Sequence, residues 1–166
     1  RENEMLARCC CLQFLKIVSA DNDKADLLTV DLLRMSAELD NNEESSVSTL
    51  AMKIACRQSL LVLVSSRSSL DHYSAKAVHE YVAHAILQRQ SPCERQYLEL
   101  LMLCILCKQP EMIETWVLKT LENHSLAPQI QTSAVFIAGV LVLKYHNRDE
   151  HSKYLCRVLS SLLLWV

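Results

Sequence analysis

The chain has 166 residues, 51% of them apolar and 22% charged, with a formal net charge of −2. That length allows one domain with a sizeable core. One glycine and three prolines exclude a turn-rich sheet protein and glycine-rich phosphate cradles, and the near-neutral charge gives no broad attraction to nucleic acid or membrane.

Apolar periodicity predicts eight helices in chain order. The first is expected over about 3–19, where Met5, Cys9, Leu12, Leu15, Ile17 and Val18 make a wide apolar face. The polar Asp21-Asn22-Asp23 ends it and caps a helix over about 24–39, whose apolar stripe is Leu28, Leu32, Met35 and Leu39. Asp31, Arg34 and Glu38 line the other side at ion-pair spacing. The longest polar insert, DNNEESSVS (40–48), reads as a loop and the best place for local mobility. A helix over about 47–65 carries the dense run Leu60–Val64, and SRSS (66–69) breaks it from a helix over about 71–89 with Val78, Tyr81, Val82, Ala85 and Ile86 on one face.

Ser91-Pro92-Cys93-Glu94 is a capping box with proline at the first helical position. It starts a helix running from Pro92 to about Lys108. Pro110 opens a helix to about 123, with Ile113, Trp116, Val117 and Leu121 facing inward, and Pro128 opens another to about 146. Asn147 and Glu150 form a second capping box for a helix over about 148–166, with Leu155, Val158, Leu159, Leu162 and Val166 in register.

Ala134–Leu143 (AVFIAGVLVL) has no polar side chain and holds Gly139, the one glycine. A helix apolar on every side belongs inside a fold, and a glycine within it allows close approach of a neighbour. This helix is therefore expected to be the packing hub, with Gly139 at a helix–helix contact.

Taken in pairs, the first helices begin near residues 3, 47, 92 and 128, spacings of about 44, 45 and 36. Periods of roughly 40–47 residues belong to HEAT and armadillo arrays. In this respect the whole chain resembles a HEAT/armadillo-like helical repeat, although no signature residues recur from unit to unit. The resemblance implies an all-α fold of four antiparallel helix pairs in a right-handed solenoid. An irregular eight-helix bundle would produce much the same pattern. Either way 1–166 is expected to be a single domain, and its apolar end, Trp165-Val166, suggests a piece of a longer chain.

Eight cysteines without a signal peptide point to free thiols in an intracellular, reducing compartment, nucleus or cytosol. Cys9, Cys10 and Cys11 point in three directions around a helix, so they make poor partners for one site. Cys104 and Cys107 form a C-x-x-C near the end of an apolar helix, away from the helix start that redox use needs, and no second ligand pair exists for zinc. Cys93 shares their helix but lies too far from Cys104 to share an ion. His79 and His84 are five apart, about 140° around a helix, so they cannot face one metal, whereas Glu80 and His84 could pair on the surface. Asp71, His72 and Ser74 sit at a helix start, where capping explains them. A nucleophile elbow cannot exist with one glycine. No enzyme activity, cofactor or metal is expected.

Lys53, Arg57, Arg67, Lys76, Arg89 and Arg95 are scattered, and a modest basic patch from Arg89 and Arg95 with Arg57 and Lys53 is the most they offer for nucleic acid. Charge is uneven along the chain. Residues 1–50 carry 5 basic and 10 acidic side chains, and residues 51–166 carry 12 and 9. Solvated helix faces explain this, and a partner could also use it for steering.

Surplus apolar residues on the helices over 47–65, 92–108, 128–146 and 148–166 point to a non-enzymatic interaction or scaffold domain, a subunit of a complex. It is expected to receive a helix or linear motif of another protein in an apolar groove. Trp116, Tyr154 and Trp165 are the expected anchors, with Arg89 and Arg95 at the rim. The alternatives are a structural segment docking through its apolar ends, by self-association or onto further repeats, and a nucleic-acid-associated helical domain. Neither nucleic acid nor membrane is the expected partner.

Overall fold

The computed structural model describes residues 21–41, 47–67, 71–88, 92–145 and 149–163. Among them are seven α-helices and one π-helical turn, and no strand: α1 Asn22–Asp40, α2 Val47–Ser66, α3 His72–Leu87, α4 Pro92–Lys108, the π turn Glu114–Leu118, α5 Lys119–Glu122, α6 Pro128–Tyr145 and α7 Asp149–Leu163. The fold class is all-α. The helix expected over 3–19 lies outside the described residues, as do Ser91 and Asn147 of the two expected capping boxes. No described helix is long and apolar enough to cross a membrane. The chain divides into two compact units, one up to Cys104 and one from Ile105 onward, and the division falls inside α4.

In the first unit, α1 packs against α2 and α3. Asp21 caps α1 by accepting the Lys24 amide at 3.2 Å, and Asp71 caps α3 by accepting the Ser74 amide at 2.9 Å. Both caps follow the sequence expectation. The inward face of α1 does not. Its most buried residues are Ala25, Thr29 and Ser36, while Leu28, Leu32 and Leu39 are half-buried and Met35 is exposed. Small side chains one, two and three turns apart let α1 lie close on its neighbours, and the large ones flank the contact. Thr29 satisfies its hydroxyl locally by donating to the Ala25 carbonyl at 2.7 Å. Leu60, Leu63 and Val64 of α2, Val78, Val82 and Ile86 of α3, and Leu98, Leu101 and Met102 of α4 complete this core.

The second unit is built on Ile113, Trp116, Val117 and Leu121, on Ile130, Ala134, Ile137 and Leu141 of α6, and on Leu155 and Val158 of α7. The regular helix expected from Pro110 is interrupted by the π turn, which buries Trp116, Val117 and Leu118 in succession. The Thr115 hydroxyl donates to the Met112 carbonyl at 2.8 Å at its start. Helix α6 packs on α7, but it is no all-round hub. Phe136 is 48% and Leu143 76% exposed, so only one face of the apolar run is inside. The Gly139 contact is likewise corrected: a Cβ built there meets no atom within 4 Å. On α7 the buried face is narrower than expected, because Leu159 joins the exposed residues.

Candidate functional site

A buried arginine joins the helices of the first unit. Arg57 on α2 is 1% exposed, and its guanidinium reaches three other helices. Nη2 donates to Asp40 Oδ1 at 2.8 Å, Nη1 to Glu94 Oε1 at 3.1 Å, and Nε to the Tyr81 hydroxyl at 3.3 Å. Tyr81 in turn donates to Asp40 Oδ2 at 3.0 Å, and Lys53 Nζ lies 3.8 Å from the same carboxylate. Among the described residues, two cations here face two carboxylates. Burial pushes the Tyr81 phenol above its usual range, although Arg57 pulls it down, so it stays a neutral donor. Burial also raises the neighbouring Cys56 thiol, which keeps it protonated and unreactive. This junction positions helices.

A groove lies at the other end of α1. Asp23, Asp26, Leu27, Val30 and Asp31 face the first turn of α3, with Asp71, Tyr73 and Ser74, across a groove of about 490 Å³. Two of its carboxylates are committed. Asp26 accepts from buried Arg67 and from the Ser74 hydroxyl at 3.1 Å, and Asp71 is the α3 cap. Partial burial works against the Asp71 carboxylate, but hydrogen bonds from Ser74 and the Tyr73 amide hold it below the usual carboxylate range. Asp31 pairs with the exposed Arg34 at 2.8 Å. The apolar lining is open to solvent: Leu27 is 71%, Val30 47% and Tyr73 76% exposed. A groove of this kind offers apolar area at its centre and negative charge along its edge.

Of the expected site residues, the three that are described, Trp116, Tyr154 and Arg95, do not line this groove. Trp116 is 6% exposed and belongs to the core of the second unit. Tyr154 on α7 and Arg95 on α4 are half-buried, while Arg89 and Trp165 lie outside the described residues. The expected basic patch loses Arg57 to the buried junction. Glu80 approaches Lys76 at 3.9 Å instead of His84. Cys104 and Cys107 are half-buried, and no three His, Cys, Asp or Glu side chains among the described residues gather to hold a metal. Sequence reasoning misses the groove because Leu27 and Val30 lie outside the leucine stripe of α1, and Tyr73 falls within a capping segment.

Searches against protein-family models, curated proteins and solved structures find no match to this chain.

Proposed function

We propose that the chain is a non-enzymatic interaction module, a scaffold of HEAT/armadillo-like helical pairs, that holds a helix or linear motif of a partner protein in the α1–α3 groove. The observation carrying this reading is Leu27 and Tyr73, both more than two-thirds exposed and lining one groove with four aspartates. Exposed apolar side chains gathered in a concave site mark places where a partner's apolar side chains are buried. Helix starts at Val47, Pro92 and Pro128, 45 and 36 residues apart, support the paired-repeat organisation.

The test is selection of short peptides from a display library on the purified protein. Selected peptides should lose binding to Leu27→Lys and to Tyr73→Ala. Peptides that bind both variants as well as the parent would overturn the groove as the site.

A second reading, docking of the chain onto a copy of itself or onto further repeats, is favoured by Phe136, Val140 and Leu143. They form one stripe on α6, half-buried at Val140 and exposed at its two ends. Sedimentation over a hundredfold concentration range separates the two readings. A mass that stays monomeric removes self-association.

A further inference from the structure

We propose that the groove's occupant is a basic amphipathic helix, in which two Lys or Arg residues, seven or eight positions apart, bracket a pair of apolar residues. This rests on the groove being the docking site. Asp23, Leu27, Val30 and Asp31 follow one another at helical spacing and lie along a single face of α1. From Asp23 to Asp31 is about 12 Å at 1.5 Å per residue, with Leu27 and Val30 between. The lining therefore reads acid, apolar, apolar, acid over two helical turns. A helix laid along it would present its complement at the same period, basic at each end and apolar in the middle.

The carboxylates divide by their commitments. Asp26 answers buried Arg67, and Asp71 holds the α3 amide. Asp23 stands exposed, and the Asp31–Arg34 pair is an exposed neighbour pair with side chains 58% and 70% open, of the kind that contributes little and exchanges readily. Asp23 and Asp31 are thus the two that an incoming cation would meet. Negative charge at both ends selects against acidic or phosphorylated segments.

A helical occupant fits better than an extended one. An extended segment takes its affinity from main-chain hydrogen bonds to a sheet edge, and the described residues contain no strand. A helix brings its backbone hydrogen bonds with it and needs only side-chain contacts.

The test uses the whole chain and three labelled 16-residue helical peptides, read by fluorescence anisotropy. One has two lysines eight apart around two leucines, the second replaces both lysines by glutamate, and the third keeps two lysines but places them one residue apart at one end. The first should bind about tenfold or more tighter than either other peptide. The advantage should shrink with Asp23→Asn plus Asp31→Asn, and all binding should vanish with Leu27→Lys. Circular dichroism checks that the variants keep their helix content. Equal binding of the lysine and glutamate peptides, still lost with Leu27→Lys, overturns the charge pattern and leaves the groove standing. Failure of all three, or binding indifferent to Leu27→Lys, overturns both.

Discussion

Arg57 is a single residue on which four helices depend. With its side chain removed, the buried Asp40 and Glu94 carboxylates would lose the Arg57 guanidinium, with Lys53 Nζ still 3.8 Å from Asp40, and breaking such a buried pair costs about 3–5 kcal/mol. Arg57→Ala should therefore lower the urea midpoint far more than Arg95→Ala, a half-buried neighbour outside the junction. Similar midpoints would show that the buried pair contributes little. The sequence does hold a clue to this burial. Lys53, Cys56, Arg57, Leu60, Leu63 and Val64 fall on one helical face, so the stripe that buries the leucines also carries Arg57 inward. Its partners, 17 and 37 residues away, are set by tertiary packing and have no local signature. Half-buried His79 is a second group with a solution consequence. Burial depresses its pKa below the ordinary 6.5, outweighing the attraction of Glu80, and its Nε2 is enclosed without a hydrogen-bond partner. As pH falls through 6.5 the unfolded chain takes up this proton before the folded one does, so His79 draws stability down until the pH passes the folded-state value. Denaturation at pH 7.5 and 5.5 should show His79→Gln losing less stability on acidification than the parent. An equal loss would assign the effect to other groups.

At the scale of elements, helix boundaries are what local chemistry marks best. Proline at the first position and aspartate at the cap place the starts of α3, α4 and α6 within a residue of expectation, because these signals act on the backbone where they stand. Which face is buried depends on neighbours. AVFIAGVLVL has no polar side, so its periodicity is silent about which residues point inward. The packing with α7 leaves Phe136 and Leu143 outside. On α1 the same blindness hides the contact made by Ala25, Thr29 and Ser36, since small residues carry weak apolar signal and pack closest. Gly139 tests the revised view of α6. A methyl group at this position would meet no atom within 4 Å, so Gly139→Ala should raise stability by up to about 1 kcal/mol, through helix propensity and a less flexible unfolded chain. A drop in melting temperature would restore Gly139 to a tight helix contact.

At the scale of the whole molecule, the charge gradient is legible from the chain and the groove is not. Residues 1–50 hold twice as many acidic as basic side chains, and Asp23, Asp26 and Asp31 of the groove come from that segment. The other wall, Asp71 to Ser74, comes from 40 or more residues further on, and only the packing of α1 against α3 brings it there. The two kinds of lining residue should act on different stages of binding. Rim charges steer encounter, while buried anchors set residence time. With a basic helical peptide, Asp23→Asn should slow association and flatten its dependence on salt, because the Debye length shrinks from about 30 Å at 0.01 M to about 8 Å at 0.15 M. Tyr73→Ala should leave association nearly unchanged and speed dissociation, since its exposed ring becomes covered only in the complex. Stopped-flow fluorescence separates the two rates. If Asp23→Asn altered dissociation alone, Asp23 would be a direct contact with no steering role, and the acidic gradient would then be only the solvated face that its composition permits.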